Sequence, residues 1–174
     1  MEIHRFEKIW LVVSLVLIVG FIATVAYGAV GAGVAMVDDS GGTINPANVG
    51  PGGAQTPFDD PGIRKVGENE YVVYVRAQQF RFVPGTQNPI TVPADANVTF
   101  RVTSADVTHG FNVVGTNVNT MVIPGEISEM TVRFDEPGTY GLVCNEYCGV
   151  GHHTMAGTVR VVPQSQFNVS EVNN

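Results

Sequence analysis

The chain has 174 residues, 44% of them apolar, and a net charge of −7 from sixteen Asp and Glu against nine Lys and Arg. So acidic a chain, with cations this sparse, lacks the basic patch that phosphate backbones require, which excludes nucleic acid as a partner.

Residues 9–37 carry no charge, and residues 9–30 are almost wholly apolar. A helix needs about 20 such residues to cross the hydrocarbon core of a bilayer. The apolar part of a cleaved signal peptide is only about 7–15 residues long. The run therefore predicts a transmembrane anchor over residues 9–37, behind a flank of residues 1–8. Arg5 and Lys8 precede it while Asp38 and Asp39 follow, so the positive-inside rule puts the N-terminus in the cytoplasm and the rest of the chain outside. Trp10 and Tyr27 fall near the two ends, as interfacial aromatics do. The anchor makes membrane lipid a partner.

Residues 38–70 crowd together Gly-Gly, Asn-Pro, Gly-Pro-Gly-Gly and Asp-Pro-Gly, with few apolar side chains to bury. The stretch reads as an irregular linker. Beyond it the period becomes that of strands: residues 71–76, 90–92, 98–103, 111–114, 129–134, 139–143 and 157–162 alternate or are β-branched, with turn signals between them. Seven short strands in about 100 residues predict an antiparallel Greek-key sandwich over residues 71–163, followed by a tail of residues 164–174. A domain of that size buries a core without disulfides, which releases Cys144 and Cys148 for other work.

Those cysteines open the richest segment, Cys144-Asn145-Glu146-Tyr147-Cys148-Gly149-Val150-Gly151-His152-His153-Thr154-Met155. Cys148, His152 and Met155 have the spacing of a single-loop blue-copper site, where two His and one Cys bind roughly trigonally and Met sits far out on the axis. The second imidazole must come from elsewhere, and His109, in Val107-Thr108-His109-Gly110-Phe111, is the candidate. A mononuclear copper needs one thiolate. Two at this spacing bridge two coppers instead, with one His terminal on each, Met155 as a weak axial donor and the Glu146 carbonyl as the other. Three other readings compete. A disulfide four residues apart demands a close Cα approach. A copper-chaperone dithiol would precede its His rather than follow it. A Cys2His2 zinc site leaves Met155 unused. His153 is expected to point away from its neighbour and His4 to sit at the cytoplasmic membrane interface, while Met36, Met121 and Met130 lack companion donors.

The Cys-x3-Cys-x3-His-x2-Met loop, the upstream His109 segment, the Pro124-Gly125-Glu126 turn and the single span together resemble subunit II of haem-copper cytochrome c oxidases, most closely the prokaryotic B-type. The resemblance implies a cupredoxin-like head carrying the dinuclear copper centre CuA, in a subunit through which electrons enter a respiratory oxidase. Subunit I would be the partner that holds haem, reduces oxygen and pumps protons, in a prokaryotic plasma membrane. It also implies that His152 is the electron's exit, and that the Glu146 carboxylate is available to a magnesium ion at the subunit I interface. A-type relatives take up electrons at a Trp-rich stretch. Here the corresponding residues are Gln78-Gln79-Phe80-Arg81-Phe82, which makes Phe80 the candidate on the uptake side.

The resemblance also implies a soluble electron donor, cytochrome c or a small copper protein. In the first 37 residues Glu2 and Glu7 balance Arg5 and Lys8, so the whole net charge of −7 falls on residues 38–174. Such a head steers a basic donor, or else it reflects a high-salt habitat where steering is screened. The competing function class is a free-standing membrane-anchored cupredoxin or copper-delivery protein.

Overall fold

A computed structural model describes residues 4–30, 41–50 and 56–172 of the protein. The chain forms two compact units, Met1–Met36 and Val37–Asn174. The first contains α1, Arg5–Val30. It opens four residues before the uncharged run because the sequence supplies a cap. His4 Nδ1 accepts a bond from Phe6 N (3.4 Å), and Glu7 Oε2 accepts one from His4 N (2.9 Å). This reciprocal arrangement satisfies two of the amides that any helix start leaves without partners. The helix is apolar all round, with Trp10, Leu17 and Phe21 each more than half exposed, and such a helix belongs in lipid rather than water. The stretch Arg5–Tyr27 is long and apolar enough for one span. Residues 31–37 of the expected anchor lie outside the described residues.

The described residues of the second unit form ten strands: β1 Gly62–Gly67, β2 Glu70–Gln78, β3 Arg81–Val83, β4 Ile90–Pro93, β5 Asn97–Ser104, β6 His109–Val113, β7 Asn119–Val122, β8 Ser128–Arg133, β9 Gly138–Val143 and β10 Ala156–Val162. One sheet runs β1-β2-β5-β8, with β3 also pairing β2; the other runs β4-β10-β9-β6-β7. The period-2 alternation builds the core. In β5, Val98, Phe100 and Val102 are fully buried while Thr99 and Arg101 lie on the other face, where they pair with Thr131 and Glu129 of β8. Val92, Phe111, Val113, Leu142 and Val159 supply the opposing layer. Phe111 bridges the sheets at the centre, edge-on to Phe82 at 5.6 Å and tilted against Phe100 at 5.5 Å. Each such side chain contributes about 1.5–3 kcal/mol by leaving water.

The sandwich departs from the sequence reading in two respects. The ladder is not wholly antiparallel, since β2 pairs β5 and β10 pairs β4 in parallel. Between β2 and β5 the chain visits the other sheet through β4, and it returns running in its original direction. The stretch expected to be irregular linker also contains β1, paired with β2 from Gly62↔Tyr74 to Gly67↔Glu70. Phe58 and Ile63 of that stretch are buried. Further upstream, Ile44 N bonds Gly125 O (3.0 Å) and Ile127 N bonds Gly42 O (2.9 Å), so this segment lies along the turn after β7. Tertiary pairing supplied partners that the local composition does not announce. Residues 38–40 and 51–55 of that stretch lie outside the described residues.

Candidate metal centre

Three connections meet at one end of the sandwich: the β2–β3 turn, the β5–β6 loop and the β9–β10 loop. The last is the chemical one. Its neck is pinched where Cys144 N bonds Met155 O (3.1 Å), one step beyond the Val143↔Ala156 pair of the ladder. Gly149 takes the left-handed conformation (φ 130°), which an L side chain rarely adopts, and this turns the chain back. A 3₁₀ turn, His152–Thr154, then follows, with His152 N bonded to Gly149 O and Met155 N to His152 O (both 3.0 Å). Three residues per turn put residues 152 and 155 on one side. That is why the spacing His-x2-Met delivers both side chains to Cys148, while His153 stays exposed and outside the cluster.

The donors form a chain of short separations. Cys144 Sγ lies 3.7 Å from Cys148 Sγ, 3.9 Å from His109 Nδ1 and 3.1 Å from Glu146 O. Cys148 Sγ lies 3.7 Å from both His152 Nδ1 and Met155 Sδ. The sulfurs are not bonded: both cysteines are free thiols. Their separation is nearly twice a disulfide's roughly 2.05 Å. His109 is fully buried, and Cys144, Cys148 and Met155 are each more than nine-tenths buried. The nitrogen of His109 and the two sulfurs lie close enough together to hold a metal ion. Burial, and then the neighbouring Cys144 thiol, push the Cys148 thiol up to about 11. A dry pair of thiols resists ionising twice without a cation to neutralise it.

One contributor escaped the reading of the sequence. Asp106 Oδ1 lies 2.8 Å from His109 Nε2. Burial would raise the carboxyl, but bonds from Gln79 N, His109 and Val107 N outweigh it and hold the group below its ordinary value. An ionised carboxylate only accepts, so the ring proton sits on Nε2 and the Nδ1 lone pair faces Cys144. Carboxylate–histidine pairs of this kind orient metal-binding imidazoles. The available signal was an acid three residues before the histidine in a short loop, a pattern too common to single out. A second contributor is Gly110, whose N–H points at Cys144 Sγ (3.5 Å). A Cβ there would collide with Asn145 Oδ1, so glycine lets β6 approach the loop.

The remaining sequence candidates fall as follows. Phe80, half-buried in the β2–β3 turn, lays its ring against the loop, where a Cβ on Gly151 would come within 2.5 Å of Cδ2 and one on Gly149 within 3.2 Å of Cε1. The Glu146 side chain is exposed, whereas its carbonyl faces Cys144. Tyr147 and Val150 are the exposed apolar residues of the loop, and the Tyr147 ring lies 6.0 Å from that of His152.

Comparison with known proteins bears on this cluster. The family described as cytochrome c oxidase subunit II, periplasmic domain, matches residues 66–162. Cytochrome c oxidase subunit 2 of Thermus thermophilus is 42% identical over 163 residues, covering 91% of this chain and 93% of that protein. Another subunit 2 sequence from Thermus thermophilus is 48% identical over 107 residues, covering 60% of this chain and 77% of its own length. Among solved structures, a chain of a heme-copper terminal oxidase dimer seen by cryo-EM covers 91% of this chain and 100% of itself, at 32% identity and TM-score 0.66. The periplasmic domain of subunit II of cytochrome oxidase (CoxB) of Bradyrhizobium japonicum covers 58% of this chain and 89% of itself, at 25% identity and TM-score 0.52.

Proposed function

This chain belongs to the cytochrome c oxidase subunit II family, the subunit through which electrons enter a haem-copper oxidase, and on that premise we propose that its cluster holds the two-copper centre CuA. The observation that carries the reading is the pairing of donors. Each thiol has its own imidazole and its own third donor: Cys144 has His109 and the Glu146 carbonyl, and Cys148 has His152 and Met155. Two such sets sharing a sulfur pair suit two ions, with soft thiolate and thioether donors that favour copper. A Cys2His2 zinc site would leave Met155, which is buried against Cys148, without a role.

Bound copper supplies a one-electron couple. The residues supply the rest. Burial of His109, both cysteines and Met155 excludes water, so little solvent has to reorganise when charge changes. The β-ladder on both sides of the loop neck fixes the sulfurs, which limits movement between oxidation states.

In the same reading, the head lies outside the cytoplasm with the N-terminus inside, anchored in a prokaryotic plasma membrane. A soluble donor, cytochrome c or a small copper protein, delivers electrons on the Phe80 side. His152, half-exposed, is the exit toward haem in subunit I, which reduces oxygen and pumps protons. The exposed Glu146 carboxylate is the group this chain offers to a magnesium ion at that interface.

Detergent-solubilised full-length chain, loaded with copper, is expected to bind two ions and to be purple rather than blue. Cys144→Ser should lose that spectrum. One copper per chain, or a spectrum unchanged by Cys144→Ser, would overturn the dinuclear reading. Phe80→Ala should slow reduction by the soluble donor while the spectrum stays. Unchanged kinetics would remove Phe80 from the pathway, and a collapsed spectrum would leave it as a prop for the loop.

A further inference from the structure

Gln79 is exposed, lies in a two-residue turn between β2 and β3, and contributes nothing to the core. Yet it touches both halves of the cluster. Its side-chain Nε2 donates to the carbonyl oxygen of Cys148 at 2.5 Å, across 69 positions of sequence. Its backbone N donates to Asp106 Oδ2 at 2.8 Å, and the other oxygen of that carboxylate holds His109 Nε2 at 2.8 Å. The next residue, Phe80, lays its ring on Gly149 and Gly151 between Cys148 and His152. Outside the donor set itself, Gln79 thus bonds both the His109 arm, through Asp106, and the Cys148 arm.

We propose that Gln79 is a positioning residue that locks the two arms of the metal centre into one register. The side-chain bond fixes the Cys148 peptide, and with it the direction of Sγ. The backbone bond fixes the rotation of the Asp106 carboxylate, and through it the His109 ring. Displacing the turn moves both at once. The bond to Cys148 also turns the positive end of an amide dipole toward the electron-rich side of the site. Such a dipole favours the more negative, reduced state. Losing it lowers the reduction potential. The inference rests on the copper reading above, but the arrangement of hydrogen bonds exists in the metal-free chain and can be probed there.

The test is Gln79→Met in the full-length chain, because methionine keeps the length and bulk of the side chain and removes its N–H donor. In the metal-free wild type, the Gln79 side-chain amide protons should exchange several-fold more slowly than those of an unbonded glutamine such as Gln87. Exchange at the free rate would overturn the strut whatever the metal. In the copper-loaded chain, Gln79→Met should lower the potential and release copper to a chelator several-fold faster. Gln79→Met combined with Asp106→Asn should release copper at less than the product of the two single effects, because both act on one linkage. A drop in melting temperature with unchanged potential and copper release would make Gln79 an ordinary turn residue and overturn the proposal, as would multiplicative effects in the pair. Failure of the wild type to bind copper would instead be a failure of the copper reading, and the amide-exchange result would still decide the strut.

Discussion

His109 lies beside Cys144 and His152 beside Cys148, and the protein holds the two rings in different ways. His109 opens a strand, is fully buried, and has its second nitrogen tied to Asp106. His152 opens a 3₁₀ turn and is half-buried, and its second nitrogen has no bond among the described residues. One ring is set by the scaffold. The other is set by the local turn and offers its far edge to whatever docks. The asymmetry separates two ways of placing an imidazole. The fixed ring is held by burial and a carboxylate, and the open ring by a short local turn that leaves one edge unbonded among the described residues.

The substitution expected to do the most damage breaks both sides at once. Cys148 Sγ is 3.7 Å from Cys144 Sγ, His152 Nδ1 and Met155 Sδ, so Cys148→Ser removes the atom that joins the arms. Copper per chain should fall below two and the purple band should vanish, as read by metal analysis and absorption. Two coppers retained with the band intact would contradict the shared-sulfur reading.

Asp106→Ala attacks the fixed side directly, at the carboxylate bonded to His109. Removing a carboxylate that orients a metal-bound imidazole typically costs 10–100-fold in metal affinity, roughly. A competition titration should find a loss of about that size, partly recovered in Asp106→Asn. An affinity within about twofold of wild type would mean that burial alone fixes the His109 ring.

Met155→Leu tests the thioether beside Cys148 on the open side. The side chain is buried, and the swap nearly conserves volume, so its cost to folding should stay below about 1.5 kcal/mol. Copper should remain bound while the potential shifts, because a long axial thioether tunes more than it holds. Complete loss of copper, as in Cys148→Ser, would reverse this ranking.

Tyr147→Leu probes the exposed rim next to His152. The ring is 73% exposed and 6.0 Å away, and surface changes of this kind stay within about 0.5 kcal/mol. Copper affinity should therefore move by no more than about twofold. A larger loss would mean that the rim orients His152 as Asp106 orients His109.

The apolar helix was legible because an uncharged run of that length is long and apolar enough to cross a bilayer. The donors within 144–155 were legible because the loop is local: a positive-φ glycine and a 3₁₀ turn convert Cys-x3-His-x2-Met into a cluster with little help from the rest of the fold. His109 was legible only by elimination, as the one histidine near a strand outside the loop. Strand β3, of three residues, is too short to show a period. β1 was hidden among Gly and Pro, and it is a strand because Ile63 pairs opposite Val73.

Residue types and spacing by themselves determined the apolar span, the β-rich head and the local half of the donor set, since each rests on periodicity or on turns only a few residues long. Tertiary structure alone decided the parallel pairings, the strand within the linker stretch, and the convergence of Asp106 on His109, Gly110 on Cys144 and Gln79 on the Cys148 carbonyl. Those features depend on which strand ends share one end of the sandwich. Contacts across 34 to 69 positions, such as Gly110 to Cys144 and Gln79 to Cys148, leave no periodic trace in the chain and exist only once both sheets have closed over the core.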